Sequence, residues 1–235
     1  MKGIILAGGT GSRLYPLTKV TNKHLLPIGN KPMIYYPIEK LVECDIHEIL
    51  IVTGTEHMGD VVNLLGSGGE FGCSFTYKVQ DQAGGIAQAL SLAEHFAGGE
   101  PVTVILGDNI FNTSLKQAVY SYDGSGAKLL IKEVPDPQRY GVAEIDGNRI
   151  VSIEEKPEKP KSRYCVTGVY MYDHQVFEHI KHLKPSQRGE LEITDVNNHY
   201  IKKGELKYEI LDDWWTDAGT PESYRKANEL MFKNS

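Results

Sequence analysis

A glycine-rich run near the beginning of the chain ends in an arginine, and a lysine follows soon after. The run Leu6-Ala7-Gly8-Gly9-Thr10-Gly11-Ser12-Arg13 comes directly after the apolar residues Ile4 and Ile5, and Lys23 lies beyond it. Glycines allow backbone N–H groups to turn towards an anion and approach it closely. The two cations are placed to neutralise that anion. The pattern predicts a triphosphate-binding loop; the alternative is a strand-to-turn connection whose glycines serve backbone geometry alone.

Two better-known phosphate-binding loops do not fit this run. A P-loop ends in Gly-Lys-Ser/Thr, whereas Ser12-Arg13-Leu14 stands at that place. The dinucleotide-binding fingerprint, counted from Gly9, needs a glycine or alanine at its sixth position, which Leu14 occupies. The sequence therefore gives no support to a P-loop NTPase or to a Rossmann oxidoreductase.

Two aspartates follow apolar segments further along the chain. Asp108 comes directly after Leu106-Gly107, and Asp217 lies in Trp215-Thr216-Asp217-Ala218-Gly219 at a predicted strand-to-turn junction. Mg²⁺ is commonly bound through one or two carboxylates together with substrate phosphates. Each aspartate alone fits a turn or a helix cap equally well. Together, facing the phosphate loop, they predict a metal clamp.

Two further pairs of residues suit the other parts of a nucleotide or sugar. Gln80 and Gly85 bracket a loop, where a glutamine amide can pair with the edge of a base and a glycine lets the base lie close to the backbone. Glu155 and Lys156 end a predicted strand and suit sugar hydroxyls and a sugar phosphate. The alternatives are a plain loop and a solvated strand end.

Short apolar runs alternate with amphipathic stretches through the first half of the chain, which predicts an α/β fold with a doubly wound, mostly parallel but mixed sheet of Rossmann-like form. Ligands of such sheets bind beyond the carboxyl ends of the strands. The strand candidates are Lys2–Leu6, Glu48–Thr53, Ser74–Val79, Val102–Leu106 and Lys128–Val134. The helix candidates are Pro32–Cys44, His57–Leu65, Ile86–His95 and Leu115–Tyr122.

The pattern changes after Pro135. Asp146-Gly147-Asn148 predicts a hairpin turn. The later elements are predicted as strands at Val166–Tyr172 and Leu206–Leu211 and helices at Gln175–Leu183, Thr194–Lys203 and Pro221–Phe232. We find no linker or repeat, so we expect one domain over residues 1–235, whose second half extends the same sheet and supplies a wall for an acceptor substrate.

Composition narrows the class of protein. The net charge of −6 disfavours general nucleic-acid binding, which needs a basic face. Three scattered cysteines, without CxxC spacing, predict reduced thiols rather than disulfides or a zinc site. No apolar run reaches the length of a signal-peptide core or a membrane span, so we expect a cytoplasmic protein without membrane partners.

Motifs along nearly the whole chain resemble the sugar-1-phosphate nucleotidyltransferases, and among these the thymidylyltransferases are the most similar. The likeness begins in the glycine-rich run and continues in the expected order. The other motifs that carry it are Lys23 to Pro27, Lys31 to Pro37, Gln80 to Ala89, Leu106 to Phe111, Arg139 to Val142, Glu155 to Pro157, Val166 to Tyr172, Arg188 to Asp195 and Trp215 to Thr220.

The resemblance implies a role for each matching residue. Arg13 contacts the β- and γ-phosphates and Lys23 the reacting α-phosphate, and Lys156 completes the catalytic set. The nucleotide is bound by Leu6, Gly8, Gly9, Thr10, Gly11, Ser12, Arg13, Lys23, Gln80, Gly85 and Asp108. The sugar phosphate is bound by Asn109, Tyr140, Gly141, Glu155, Lys156, Val166 and Tyr170. Asp108 and Asp217 hold Mg²⁺, residues 1–134 form the nucleotide-binding half, and residues 135–235 form the sugar-phosphate half.

The implied reaction joins dTTP and α-D-glucose 1-phosphate to give dTDP-glucose and pyrophosphate. Two alternatives stay open: the same chemistry with UTP, CTP or another hexose 1-phosphate, and a non-catalytic protein that binds nucleotide sugars. The segment from Asp81 to Gly84 lacks the proline that is common at this place in longer thymidylyltransferases, which leaves the choice of base open. Those relatives carry further C-terminal helices that build a regulatory nucleotide site, whereas this sequence stops shortly after the helix predicted at Pro221–Phe232. We therefore expect no feedback regulation at such a site. Relatives also suggest a homo-oligomer.

Overall fold

The structure, a computed structural model, describes residues 1–233. Within them the strands are β1 (Lys2–Ala7), β2 (Pro27–Ile28), β3 (Lys31–Pro32), β4 (Glu48–Gly54), β5 (Ser74–Gln80), β6 (Val102–Leu106), β7 (Asn109–Phe111), β8 (Ala127–Glu133), β9 (Gly141–Asp146), β10 (Arg149–Glu155), β11 (Tyr164–Tyr172), β12 (Leu206–Ile210) and β13 (Trp215–Asp217). The α-helices are α1 (Tyr35–Glu43), α2 (Met58–Leu65), α3 (Ile86–Ser91), α4 (Glu94–Ala97), α5 (Lys116–Tyr120), α6 (Val176–Lys181), α7 (Ile193–Lys203) and α8 (Pro221–Lys233).

Nine of these strands form one mixed sheet, in the order β10-β9-β11-β6-β1-β4-β5, with β8 paired to β11 and β12 paired to β8. Strands β6, β1, β4 and β5 run parallel to one another. Strand β11 joins antiparallel to β6, and β9 and β10 form the predicted hairpin. The carboxyl ends of β6, β1 and β5 therefore face the same edge of the sheet, where ligands are expected.

Both faces of the sheet are covered by helices. Successive side chains of a strand point to opposite faces, and the neighbouring residues Ile4 and Ile5 of β1 are both fully buried but pack in different hydrophobic clusters. Helices α3, α6 and α7 cover the face of Ile4, while α1, α2 and α5 cover the face of Ile5. Each fully buried isoleucine stabilises the fold by about 1.5–3 kcal/mol. The prediction of a doubly wound, mixed α/β sheet is confirmed.

Two predicted helices have the wrong bounds. The helix predicted over Ile86–His95 is split, because α3 ends at Ser91 and α4 begins at Glu94. The helix predicted from Pro32 begins only at Tyr35, because Lys31–Pro32 is β3 and pairs with β2. The remaining predicted elements agree with the structure to within one or two residues at each end.

A second small sheet, made of β7 and β13, was not predicted. Its antiparallel register places Asn109 opposite Asp217. The backbone N–H of Ala218 also donates to the carbonyl of Asp108 at 2.7 Å. This pairing brings a segment from the middle of the chain and one from its C-terminal part to the edge of the main sheet, and each segment carries an aspartate.

None of the helices described within residues 1–233 combines the length and the apolar character that crossing a membrane requires.

Candidate active site

A cavity of about 560 Å³ lies at the carboxyl ends of β1, β5 and β6. The residues predicted for the site come from both halves of the chain, and most of them meet in its wall. Those that line it are Leu6, Gly8, Gly9, Arg13, Lys23, Gln80, Gly85, Asp108, Asn109, Tyr140, Gly141, Glu155, Lys156, Val166, Tyr170 and Asp217. The other three predicted residues, Thr10, Gly11 and Ser12, belong to the loop beside the cavity but do not line it.

The glycine-rich loop holds Arg13 at the cavity, where it has no partner among residues 1–233. The backbone turns through the left-handed region at Gly9, where φ is 97° and a residue with a side chain would be strained. A short 3₁₀ helix then follows at Ser12–Leu14; Leu14 is buried, and Arg13 is exposed and lines the cavity. Arg13 forms no hydrogen bond or ion pair with any residue of the described chain. Its guanidinium is therefore available to an anion.

Lys23 and Asp108 form a close ion pair. Lys23 Nζ lies 2.6 Å from Asp108 Oδ2, and the two side chains are only 13% and 14% exposed. Burial alone would raise the pKa of Asp108, but the charge of Lys23 and hydrogen bonds from Lys23 and Asn109 hold the pKa well below its usual value. Asp108 is thus a carboxylate at neutral pH, and Lys23 is bound to it.

Asp217 is the other aspartate of the cavity, and its side chain is 16% exposed. Its Oδ1 accepts hydrogen bonds from Tyr140 Oη at 2.8 Å and from Arg139 Nη2 at 3.2 Å. Burial raises the pKa of Asp217, the nearby Asp108 charge raises it further, and Arg139, Tyr140 and Arg13 partly offset both effects. The two aspartates therefore repel each other within the cavity wall.

Arg13 and both aspartates converge on the backbone of Gly219. A methyl group placed on this glycine would lie 3.3 Å from Asp108 Oδ2, 3.5 Å from Asp217 Oδ2 and 3.6 Å from Arg13 Nη2. Three charged groups from distant parts of the sequence thus surround one point. This is the arrangement expected of a site for phosphates and a cation.

Two carboxylates define the candidate metal site. No group of three or more His, Cys, Asp or Glu side chains in residues 1–233 is arranged to hold a metal ion. Mg²⁺ needs only one or two protein carboxylates when substrate phosphates supply further oxygens. A divalent cation between Asp108 and Asp217 would also relieve their repulsion. The residues present therefore fit a cation that binds together with phosphates.

Asn109 holds Asp108 in place. Asn109 is 2% exposed, and its Oδ1 accepts hydrogen bonds from Trp215 Nε1 at 2.7 Å and from the Gly168 backbone N–H at 2.9 Å. Its Nδ2 donates to Asp108 Oδ1 at 3.0 Å. Asn109 was predicted to bind the sugar phosphate; the structure shows it orienting the Asp108 carboxylate.

Gln80 and Gly85 lie together, as the predicted base-binding pair requires. Gln80 Nε2 donates to Gln88 Oε1 at 2.6 Å and to the Gly85 carbonyl at 3.4 Å. Gly85 has φ of 98°, and a Cβ there would approach the Leu191 carbonyl to 2.5 Å. The backbone of Leu191 also donates to Gly84 at 2.8 Å. The loop of the first half is therefore clamped to the segment that precedes α7.

The far end of the cavity carries the predicted sugar-phosphate residues. Glu155 Oε2 accepts a hydrogen bond from Thr194 Oγ1 at 2.6 Å. Lys156 follows in the left-handed region, with φ of 45°, and its Nζ lies 3.8 Å from Glu155 Oε1. A non-glycine residue in that region is strained by about 1–3 kcal/mol and such strain clusters at functional sites. Val166 and Tyr170 form apolar wall beside them.

Sequence reasoning missed several side chains of this cavity. Arg139 was noted only as part of a motif, yet its guanidinium pairs with Asp217. Arg188 was noted in a motif without a role, and its Nη2 lies 2.8 Å from Glu192 Oε2. Their positive charge was the available signal, but only the fold shows that they face the site. The other missed lining residues are Ala83, Ile86, Ala89, Leu106, Gly168, Glu190, Glu192, Ile193, Thr194, Asn197 and Trp215.

The fold and this site define an α/β nucleotidyltransferase. The model of the family described as nucleotidyl transferase matches residues 2–234, and the chain belongs to that family.

Three individual proteins show which kinds of nucleotidyltransferase this chain is similar to. A glucose-1-phosphate thymidylyltransferase from Neisseria meningitidis is 48% identical over 239 residues, covering 98% of this chain and 82% of that protein. A solved structure from Bacillus anthracis, provisionally named glucose-1-phosphate thymidylyltransferase and in complex with sucrose, is 62% identical, with a TM-score of 0.94 over 98% of this chain and 94% of that one. UDP-glucose pyrophosphorylase in complex with UDP-glucose is 29% identical, with a TM-score of 0.87 over 100% and 99% of the two chains.

Proposed function

We propose that this chain transfers a thymidylyl group from dTTP to α-D-glucose 1-phosphate, giving dTDP-glucose and pyrophosphate, with Mg²⁺ as cofactor. The observation that carries the proposal is the convergence of Arg13 with Asp108 and Asp217 at one point of the cavity. That arrangement suits a triphosphate and a cation. The thymidylyl group and the glucose are supported by the names of the relatives at 48% and 62% identity.

The nucleophile needs no base from the protein. The second pKa of a phosphate monoester is about 6, so the sugar phosphate is largely a dianion at neutral pH. One of its oxygens attacks the α-phosphorus of dTTP and forms a new P–O bond. The bond from the α-phosphorus to the bridging oxygen of the β-phosphate breaks, and pyrophosphate leaves with the electron pair.

The protein brings two anions together and stabilises the charge on the leaving group. We assign Lys23 to the α-phosphate and Lys156 to the sugar phosphate, where their charges offset the repulsion between the substrates. Arg13 then stabilises the departing pyrophosphate. Mg²⁺ held by Asp108 and Asp217 would supply Lewis-acid stabilisation of the same charge.

The two substrates bind at opposite ends of the cavity in our proposal. We assign the base to Gln80 and Gly85 in the half formed by residues 1–134. We assign the glucose phosphate to the half formed by residues 135–235, together with Asn109 from the first half. The residues of that group are Asn109, Tyr140, Gly141, Glu155, Lys156, Val166 and Tyr170.

The same reaction with UTP is the second candidate, favoured by the likeness to UDP-glucose pyrophosphorylase. Thymine and uracil differ by one methyl group, and one methyl group in an apolar pocket changes specificity by roughly 1–3 kcal/mol. A glutamine amide accepts either base. We therefore expect measurable activity with UTP, below that with dTTP.

A pyrophosphate-release assay with dTTP, UTP, CTP, ATP and GTP, each with several hexose 1-phosphates, tests the proposal. We expect the largest kcat/KM for dTTP with glucose 1-phosphate. A preference for GTP would overturn the choice of nucleotide, and the absence of pyrophosphate with every pair would overturn the proposed reaction.

A further inference from the structure

The Lys, Arg, Asp and Glu side chains that line the cavity balance one another. Five are cations and five are carboxylates. Four of the cations contact a carboxylate: Lys23, Arg139, Lys156 and Arg188. Arg13 is the exception among the described residues. A wall without net charge attracts a multiply charged triphosphate weakly, so each cation that exchanges a carboxylate for a phosphate would strengthen triphosphate binding.

Lys23 makes the shortest of these contacts, and it does so on the aspartate that is proposed to hold the metal. Lys23 Nζ lies 2.6 Å from Asp108 Oδ2, and Asn109 donates to Oδ1 of the same carboxylate at 3.0 Å. Both oxygens of Asp108 therefore already carry a donor. Both side chains of the ion pair are largely buried, so water screens the pair poorly.

We propose that Lys23 and a divalent cation compete for the Asp108 carboxylate, so that metal binds weakly until a phosphate group draws Lys23 away. The inference rests on the proposed function for the identity of the phosphate. A cation at Asp108 Oδ2 would stand beside the ammonium group in a poorly screened site. Once Lys23 moves to a phosphate oxygen, that repulsion is replaced by an attraction to the same phosphates.

The competition has a thermodynamic consequence. If phosphate binding releases Asp108 for the metal, metal binding must favour phosphate binding by the same factor. Arg139 and Asp217 repeat the arrangement on the other side, with Arg139 Nη2 3.2 Å from Asp217 Oδ1. Phosphate and metal therefore bind cooperatively. As they bind, Lys23 and Arg139 exchange their aspartate partners for phosphate, and the metal takes the place of these cations beside the aspartates.

The test measures metal binding by the full chain without nucleotide or sugar. Mn²⁺ is titrated by water-proton relaxation or calorimetry into the wild-type protein and into Lys23→Met. We expect Lys23→Met to bind Mn²⁺ with a Kd at least about tenfold lower, because a cation that competes at the same oxygen has been removed. Lys23→Gln should shift the Kd in the same direction, and Lys23→Arg, which keeps the charge, should not.

Lys207→Met is the matched control. Lys207 Nζ lies 2.7 Å from Asp123 Oδ2, outside the cavity, so this variant also loses one positive charge and leaves one aspartate without its lysine. We expect wild-type Mn²⁺ affinity from it. Adding Asp108→Asn to Lys23→Met should abolish the gain.

An unchanged Kd in Lys23→Met and Lys23→Gln, with melting temperatures that show both to be folded, would overturn the competition. So would an equal gain in Lys207→Met. If Lys23→Met does not fold, Lys23→Gln alone decides. The measurement involves no turnover, so an error in the proposed nucleotide or sugar changes the pyrophosphate assay and leaves this result intact.

Discussion

Trp215 fixes Asn109, and through Asn109 it fixes the carboxylate of Asp108. The indole N–H of Trp215 donates to Asn109 Oδ1 at 2.7 Å, and Asn109 Nδ2 donates to Asp108 Oδ1 at 3.0 Å. Trp215 and Asn109 are 106 positions apart in the sequence. Their contact follows from the pairing of β7 with β13. The orientation of the proposed metal ligand thus depends on an indole that binds neither substrate nor metal in our proposal.

Trp215→Phe removes this donor and keeps an aromatic ring against Tyr140, whose ring centroid lies 5.2 Å from that of Trp215. The loss of a buried hydrogen bond should lower the free energy of unfolding by about 1–2 kcal/mol. Because Asp108 is then held less firmly, the Mg²⁺ concentration for half-maximal turnover should rise. Denaturant unfolding and a metal titration of kcat measure the two effects.

The neighbouring tryptophan supplies the control. The Nε1 atom of Trp214 is buried and has no hydrogen-bond partner among the described residues. Trp214→Phe should therefore leave the metal titration unchanged. A metal response in Trp215→Phe equal to that of Trp214→Phe would show that the indole does not position Asp108.

Arg13→Met should remove most of the activity and little of the stability. Loss of one donor to the charge of a transition state commonly lowers kcat by about 10²–10³-fold. The melting temperature should stay at the wild-type value because Arg13 contacts no partner in the described chain. Near-normal kcat/KM would contradict the assignment. Arg225→Met, on the exposed face of α8, changes the net charge equally and should keep full activity.

Asp108→Asn should abolish the metal dependence of turnover, because the amide is a poor ligand and carries no charge. The change also leaves Lys23 without its partner, so the free energy of unfolding at neutral pH should fall by about 2 kcal/mol. The low pKa of Asp108 makes this stabilisation present above the usual aspartate pKa of 3.8 and lost as the pH falls below it. The wild type and the variant should therefore converge in stability in acid. An unchanged metal titration in the variant would remove Asp108 from the site.

The sequence predicts the main sheet well because its strands are continuous apolar runs. Residues such as Ile4 and Ile5 are buried on opposite faces, and only a strand covered on both sides needs such a run. Strands β7 and β13 have three residues each, too few to show a period. Their pairing across the chain is a tertiary contact and leaves no local signal.

The site is predictable where a motif is contiguous and unpredictable where a contact is long-range. The glycine-rich run predicts the role of Arg13, and the apolar run of β6 predicts the role of Asp108 at its end. Nothing near Arg139 in the sequence indicates that its guanidinium pairs with Asp217, because that contact requires β13 to lie against β7. The partner of each charge was therefore beyond sequence reasoning, although most of the charges themselves were identified.

His24→Gln should change how stability depends on pH. His24 is 1% exposed; its backbone N–H donates to Asn22 Oδ1 at 2.9 Å, and its Nδ1 lies 2.7 Å from the same oxygen. Burial, and then the charge of Lys23, lowers the pKa of His24 from 6.5 to about 3. The folded protein keeps this ring neutral while the unfolded chain takes up a proton below pH 6.5. The wild type should thus lose stability relative to His24→Gln by up to about 1.4 kcal/mol for each pH unit below that value.

Urea unfolding at pH 7, 6 and 5 measures this difference, with the exposed His95→Gln as control. Parallel pH curves for the wild type and His24→Gln would contradict a neutral, buried imidazole at this position.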